Sequence, residues 1–268
     1  MSEQPIADNH THSQWSWDAS DGSMEESCRR AVELGLPAVA FTEHADWIRG
    51  AAGVFDSEGY FESIERCRAA YPGLRILSGV ELGEPHRYPK EARALLAAPF
   101  DRVLASVHCV EWKGETTDAC EQGFLTPTDV VGIFRVYLRE VLALLESDQP
   151  FQVLAHLDYP KRYWPSRPGY LESHYEEEFR AVLHAAALRE VALEVNTTRG
   201  RDPGRHLCPG PVVLNWWREE GGRTISFGSD AHSPDALAAG FELARELATA
   251  AGFMPQADPA AFWFVSKR

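Results

Sequence analysis

The sequence lacks both a long apolar run and a cysteine pattern typical of disulfides. No uninterrupted apolar stretch approaches the roughly 18 residues that a membrane-spanning helix requires, so a membrane partner is not expected. Five cysteines occur among 268 residues, and no two of them form a Cys-x-x-Cys pair. An odd number of cysteines without such pairs is a poor disulfide framework. We therefore expect reduced thiols and a cytoplasmic protein.

Positive charge is also scarce. Lys and Arg number 26 against 40 Asp and Glu, which gives a formal net charge of −14. Proteins that bind long nucleic acids need dense lysine and arginine against the phosphates, so long nucleic acid is not an expected partner. A small anionic substrate stays compatible with this composition if a local positive centre holds it. The first ten residues also lack the basic start and apolar core of a cleavable leader, so no targeting segment is expected.

What the sequence does contain is a regular alternation of two patterns. Apolar residues make up 44% of the chain, which is typical of a folded protein. The predicted strands are residues 6–10, 38–44, 75–81, 102–108, 153–156, 191–196 and 224–229. The predicted helices are residues 23–34, 57–70, 89–97, 127–146, 173–190, 211–220 and 234–250. Strands that alternate with helices predict parallel β/α units, and seven units without a central break favour one closed α/β barrel over residues 1–268.

Metal-binding residue types stand at the ends of these predicted strands. Six of the ten histidines lie there, on five different strands: His10, His12, His44, His108, His156 and His232. Because the C-terminal ends of parallel strands meet at one face of a barrel, these side chains are expected to converge. Residues i and i+2 of a strand point to the same side, so His10 and His12 can bind one ion together. Imidazole and carboxylate ligands without a thiolate suit Zn, Mn or Fe.

The other histidines and two further acidic residues are not expected to be metal ligands. His174 and His184 are expected to be solvated helix residues. For His86 and His206 a place on the rim of the site stays open. Asp158 and Glu194 stand near strand ends, and we expect them to orient ligands through hydrogen bonds.

At this point the residues resemble those of the PHP (polymerase and histidinol phosphatase) family. The motifs follow in the family's order: His10-Thr11-His12-Ser13, Thr42-Glu43-His44, Gly79-Val80-Glu81, Ser106-Val107-His108, Ala155-His156-Leu157-Asp158 and Gly228-Ser229-Asp230-Ala231-His232. The resemblance implies a distorted seven-stranded (β/α) barrel of the TIM type. It also implies a cluster of two or three divalent ions and the hydrolysis of phosphate esters.

Carried over position by position, the resemblance implies three metal sites that share Glu81. The first would use His10, His12, Glu81 and Asp230; the second Glu81, His108 and His156; the third Asp18, His44 and His232. Asp21 is the alternative to Asp18, and without this ligand the centre would hold two ions.

Within the family, two segments are similar to the histidinol-phosphate phosphatase branch: residues 156–163 and 194–199. This likeness implies a phosphomonoesterase of histidine biosynthesis that acts on L-histidinol phosphate. Both segments supply an arginine, Arg162 and Arg199, expected to stabilise charge on the phosphate oxygens. Asp158 is a candidate proton donor to the leaving alcohol, and a metal-bound water is the alternative. Residues 13–17 depart from the branch because they contain Trp15 and Trp17.

The formal charges of the implied ions and ligands favour a phosphate dianion as the substrate of such a site. Three divalent ions bring six positive charges, and Asp18, Glu81 and Asp230 return three, so the local surplus is about +3. Divalent ions lower the pKa of water towards neutrality, and the resulting hydroxide can attack phosphorus. The global net charge and the local field therefore have opposite signs.

Three alternatives remain open. The same chemistry could act on another small phosphate ester, a nucleotide or a short oligonucleotide. An amidohydrolase also begins with His-x-His, but it takes ligands from a different strand set and often uses a bridging lysine. The four lysines, Lys90, Lys113, Lys161 and Lys267, lie outside the predicted strands. A non-catalytic interaction module would have lost ligands, whereas here all nine positions are filled. The sequence does not define the oligomeric state.

Overall fold

Seven parallel strands curl into the distorted TIM-like barrel that the sequence predicts. The computed structural model describes residues 6–119, 125–126, 128–164, 169–198 and 207–265. Its strands are β1 (Asp8–Thr11), β2 (Ala38–Ala45), β3 (Arg75–Gly83), β4 (Arg102–Ser106), β5 (Cys109–Trp112), β6 (Glu115–Asp118), β7 (Val153–Leu154), β8 (Ala192–Asn196), β9 (Thr224–Gly228) and β10 (Trp263–Phe264). The main sheet runs in the order β1-β2-β3-β4-β7-β8-β9-β10, and its neighbours pair in parallel except β9 and β10.

The barrel closes between its first and last parallel strands at their C-terminal ends. Asp230 N donates to His10 O, and His12 N donates to Ala231 O, each at 2.8 Å. At the opposite end, Trp263 of β10 pairs antiparallel with Ile225 at the start of β9. Strand β10 thus extends the sheet beyond β9.

Seven α-helices are seen in the described part of the chain. They are α1 (Met24–Glu33), α2 (Ser57–Ala70), α3 (Pro89–Leu95), α4 (Val130–Glu146), α5 (Glu176–Leu188), α6 (Pro211–Glu219) and α7 (Phe241–Ala250). Ser23 caps α1 by accepting from Glu26 N, and Gly35, with φ of 67°, follows the end of the helix. No helix within these ranges is both long enough and apolar enough to cross a membrane.

Two predicted helices are shorter than expected. The span 234–250 is interrupted, because Pro234–Ala236 forms a 3₁₀ turn and α7 begins only at Phe241. Ala238 and Gly240 have positive φ values of 52° and 82°, which a right-handed helix cannot accommodate. The span 173–190 likewise divides into a 3₁₀ turn, Glu172–Tyr175, and α5.

A hairpin beside the barrel mouth was not predicted from sequence. Strands β5 and β6 pair antiparallel, with Cys109 opposite Asp118. Lys113 and Gly114 connect them and both have positive φ, the requirement of a tight two-residue hairpin turn. The hairpin follows β4 directly and brings Asp118 to the C-terminal face of the barrel.

The helices bury apolar stripes against the outside of the sheet. In α4, Ile133, Tyr137 and Val141 recur at one-turn intervals and are all buried. They belong to one large apolar cluster with α5 and α6, while α1 and α2 pack in a second cluster against β2 and β3. This packing leaves the C-terminal strand ends as the polar end of the molecule.

Candidate metal centre

The structure brings all nine predicted ligands to the C-terminal mouth of the barrel. Hydrogen bonds or ion-pair distances join every one of them to at least one other: His10, His12, Asp18, His44, Glu81, His108, His156, Asp230 and His232. Asp21, the alternative to Asp18, is exposed and is not part of this cluster. Residues separated by more than two hundred positions therefore meet as the barrel topology predicts.

Glu81 lies at the centre of the cluster. It stands beside His44 in the register of β3 and β2, and it is fully buried. Its Oε2 is 3.2 Å from His10 Nε2 and 3.1 Å from His44 Nδ1. Its Oε1 is 2.8 Å from His156 Nε2 and 3.2 Å from His108 Nε2. Oε2 also lies 3.5 Å from His12 Nε2, so this one carboxylate faces five imidazoles, three on Oε2 and two on Oε1.

Asp230 and Asp18 border the cluster on its outer side. Asp230 Oδ1 is 3.3 Å from His12 Nε2. Asp18 Oδ2 is 3.2 Å from His232 Nε2 and 3.4 Å from His44 Nε2. Asp18 and His232 are partly exposed, with side-chain exposures of 29% and 33%, so this corner of the cluster faces solvent.

The electrostatics of the cluster are strongly coupled. Burial opposes ionisation of Glu81, but the charges of His10 and His108 prevail and hold its pKa well below the usual value. The pKa of His12 falls to about 3, because burial and the neighbouring charges of His44 and His232 disfavour its protonation. The imidazoles therefore cannot all carry a proton together, and unprotonated nitrogens are the form that metals bind.

The donor geometry fits a divalent cation. His10 Nε2 and His12 Nε2 face each other at 3.0 Å, and two imidazole nitrogens at this distance share at most one proton. Four sets of three ligand atoms lie within 4.8 Å of one another: His12, His44 and His232; His10, His156 and Asp230; His10, His12 and Glu81; His44, Glu81 and His108. Imidazoles with carboxylates are a donor set for Zn, Mn or Fe.

A layer of hydrogen-bonding residues surrounds the cluster. Glu194 Oε1 is 2.6 Å from His10 Nδ1, in keeping with its expected orienting role. Asp46 Oδ1 is 3.1 Å from His108 Nδ1 and was missed from sequence. Asp46 follows Ala45, the last residue of β2, and the alternation of that strand was the signal that could have found it.

Arg162 lies at the edge of the cluster in a 3₁₀ turn, Tyr159–Tyr163. Its Nη2 donates to Asp230 Oδ2 at 2.6 Å and to Asn196 Oδ1 at 2.8 Å. The guanidinium is buried and lines a cavity of about 250 Å³ above the cluster. Trp17, Arg49 and Tyr163 also line this cavity. The other predicted arginine, Arg199, lies outside the described residues.

Asp158 is not among the residues that line this cavity. Its Oδ2 is 2.5 Å from Lys161 Nζ, and both side chains are buried. Lys161 also donates to Leu207 O at 2.7 Å. Asp158 therefore anchors the turn that carries Arg162, and its expected roles as an orienter of metal ligands and as a proton donor stay predictions.

The remaining histidines that the structure describes lie away from the cluster. His174 and His184 are exposed, as predicted. His86 Nε2 is 2.6 Å from Glu140 Oε1 and takes no part in the cavity lining, while His206 lies outside the described residues.

The fold and the cluster together define a class: β/α barrels whose mouth carries an imidazole–carboxylate cluster suited to divalent cations. The PHP domain family matches residues 8–198, and the chain belongs to this family. It is 30% identical over 250 residues to the histidinol-phosphatase of Lactococcus lactis, across 92% of this chain and 91% of that protein.

Two solved structures resemble the chain. The crystal structure of L. lactis histidinol phosphate phosphatase, complexed with zinc, L-histidinol and phosphate, has a TM-score of 0.81 at 29% identity, covering 93% of this chain and 94% of that one. A structure from Listeria monocytogenes has a TM-score of 0.74 at 20% identity, covering 88% and 99%, and shares the fold.

Proposed function

We propose that the chain is a divalent-metal-dependent phosphomonoesterase that hydrolyses L-histidinol phosphate to L-histidinol and phosphate. The observation that carries this proposal is the cluster of nine imidazole and carboxylate side chains beside a buried arginine. Its chemistry agrees with the zinc, L-histidinol and phosphate in the L. lactis structure, which resembles this chain over nearly its whole length.

We propose that the cluster holds two or three Zn, Mn or Fe ions in the three ligand sets that the family resemblance implies. The sets are His10, His12, Glu81 and Asp230; Glu81, His108 and His156; Asp18, His44 and His232. The two oxygens of Glu81 face different sets, which is the arrangement a bridging carboxylate needs. Divalent cations, when bound, supply positive charge for a phosphoryl group and lower the pKa of water nearby.

The residues of this chain then perform three tasks. Arg162 places a fixed, planar positive charge at the cavity wall, where it would stabilise phosphate oxygens as charge develops on them. Asp230 holds that guanidinium through Oδ2 while Oδ1 faces His12. Arg199 is proposed to add a second cation, as expected from its position after strand β8.

The leaving alcohol would occupy the outer part of the cavity. Its walls there combine the indole of Trp17, the phenol of Tyr163 and the carboxylate of Asp118. Aromatic rings and a carboxylate suit a leaving group that carries an imidazole and an ammonium. Because Asp158 is buried against Lys161, a water molecule is the better candidate for protonating the alcohol.

Two further expectations stay proposals. We propose that residues 1–268 form one domain that acts in the cytoplasm on a small phosphorylated substrate. A nucleotide or short oligonucleotide remains the second candidate substrate, because the phosphate end of the cavity does not select the leaving group.

The test is phosphate release from L-histidinol phosphate by purified, metal-analysed protein. Release that a chelator abolishes and that added Zn or Mn restores is the expected result. AMP and a short oligonucleotide, offered at equal concentration, are expected to react more slowly. Metal-loaded protein that leaves L-histidinol phosphate intact while cleaving either competitor would refute the substrate, and protein that cleaves none would refute the activity. The E81Q variant, which loses the central carboxylate, is the matched inactive control.

A further inference from the structure

His12 is supported differently from its neighbour His10. Glu194 contacts His10 Nδ1 directly, whereas His12 Nδ1 is 2.9 Å from the hydroxyl oxygen of Ser16. Ser16 lies in the loop between β1 and α1, and it is buried. Its hydroxyl is in turn 2.6 Å from Glu43 Oε2, and Glu43 is fully buried.

The three contacts of the Ser16 hydroxyl fix the direction of each hydrogen bond. A hydroxyl has one hydrogen to donate and two lone pairs that accept. The backbone N–H of His44 donates to Oγ at 3.1 Å and occupies one lone pair. Glu43 as a carboxylate has no hydrogen to give, so Ser16 donates its hydrogen to Glu43. The remaining lone pair then requires a donor, and the donor is His12 Nδ1–H.

The surroundings of Glu43 agree with an acceptor on both oxygens. Ser13 Oγ donates to Oε1 at 2.6 Å, and Ser13 N donates to Oε2 at 3.0 Å. With Ser16, three donors from a single loop converge on this carboxylate. Hydrogen bonds to a buried carboxylate stabilise its charged form and offset part of the cost of burial.

We infer that Ser16 and Glu43 are positioning residues that hold His12 with Nδ1 protonated and Nε2 bare towards the metal cluster. This inference rests on the metal centre of the proposed function. His12 Nε2 already faces His10 Nε2 and Asp230 Oδ1, so the fixed tautomer presents a lone pair where the first ligand set converges. The serine hydroxyl links a carboxylate on the neighbouring strand β2 to His12.

The experiment compares S16A with S16T and S13A in the full-length protein. S16A removes the acceptor of His12, S16T retains a hydroxyl, and S13A removes a bond to Glu43 while leaving the Ser16–His12 contact in place. Zn²⁺ affinity and the number of ions bound are measured by competition with a chromophoric chelator. Loss of a hydrogen-bond partner behind a metal ligand typically weakens metal binding by about 10–100-fold. We expect that loss for S16A, with S16T and S13A close to the wild type.

A second measurement reads the tautomer without any substitution. Nitrogen-15 NMR of the zinc-loaded wild type is expected to show hydrogen on His12 Nδ1 and none on Nε2. Hydrogen on Nε2 would overturn the inference, as would S16A with unchanged zinc affinity, or S13A weakened as much as S16A. The thermal midpoints of the zinc-depleted variants separate a local effect from loss of folding. A wild type that binds no zinc would instead contradict the proposed metal centre itself.

Discussion

Arg162 shows how much single residues at this site depend on their shape as well as their charge. Its guanidinium is buried, and one nitrogen, Nη2, contacts Asp230, Asn196 and Thr198 at once. An ammonium at the end of a flexible chain cannot reproduce a planar group with several fixed donors. The position is therefore sensitive even to a substitution that conserves charge.

We expect R162K to lower kcat/KM for L-histidinol phosphate by about 100-fold, the usual effect of losing one fixed donor to a developing charge. Steady-state phosphate release measures it. R93K, which alters an exposed arginine paired with Asp148, is the control and is expected to behave like the wild type. An R162K enzyme of normal kcat/KM would show that the guanidinium does not contact the transferred group.

Residues at strand ends could be predicted from sequence, whereas residues that reach the site from loops could not. His44 and Glu81 were found because strand periodicity and parallel topology fix their place. Ser16 was missed because the path of a loop depends on tertiary packing and has no period. Asp46 directly follows β2, and the alternation of that strand could have placed it on the same side as His44. Asp18 was placed through family resemblance and not through periodicity.

The position of strand β9 depends on close packing at one residue, Gly228. Gly228 ends this strand, and a Cβ at this position would overlap Glu194 Oε1 and the Cβ of His10. The close approach of three strands is what lets Glu194 reach His10. The missing side chain is therefore a packing requirement of the element.

We expect G228A to destabilise the protein by about 1–3 kcal/mol, the usual cost of overpacking a tight interior, and to weaken metal binding through the shift of Glu194. Urea unfolding and metal analysis measure the two effects. G73A is the matched control, since a Cβ at Gly73 would meet no atom within 4 Å. Equal stability of G228A and the wild type would show that β9 can move without cost.

Helix α4 is tied to the segment between β3 and α3 by Glu140. Its Oε1 lies 2.6 Å from both His86 Nε2 and Arg87 Nε. Burial opposes the charge of Glu140, but these hydrogen bonds and the charge of Arg87 prevail and lower its pKa to about 2.

This depressed pKa predicts the pH dependence of stability. A carboxyl with a lower pKa in the folded state stabilises the protein above its unfolded pKa, and the contribution is lost as pH falls towards 2. We expect E140Q to be less stable than the wild type at pH 7, with the difference shrinking below about pH 5. Urea unfolding at pH 7, 5 and 4 measures it. D148N, at an exposed ion pair, should show no comparable trend, and a gap for E140Q that widens in acid would contradict the explanation.

The sequence predicted the parallel strands and most helices because their apolar periods are strong. It missed the hairpin of β5 and β6, whose signal is a single Lys113-Gly114 turn, and the break before α7. There, the apolar pattern of residues 234–250 continues through Ala238 and Gly240, although the backbone turns at both. Conformations with positive φ leave little trace in hydrophobic periodicity.

At the scale of the whole molecule, the protein carries a net charge of −14, whereas the site must attract a negatively charged phosphate. Part of the acidic excess lies in the proposed ligands Asp18, Glu81 and Asp230, whose charge bound cations would offset. The stability of the barrel should therefore depend on metal.

Removing the metal with a chelator is expected to lower the thermal midpoint by several degrees. An ion present at 1,000 times its Kd stabilises the folded state by about 4 kcal/mol, and each kcal/mol corresponds to roughly 2–4 °C for a chain somewhat smaller than this. Differential scanning calorimetry before and after chelation measures the shift, and added Zn or Mn should reverse it. An unchanged midpoint would argue against a metal centre that joins the strands.

The closure of the barrel also predicts how slowly the amide hydrogens at its seam exchange. Strand β1, Asp8–Thr11, has only four residues. Here the amides of His12 and Asp230 bond across the seam between β1 and the segment after β9. The first strand of the barrel is thus held by residues that follow its last parallel strand. Hydrogen exchange should find these two amides among the slowest in the molecule, so that the seam opens only when the barrel unfolds as a whole.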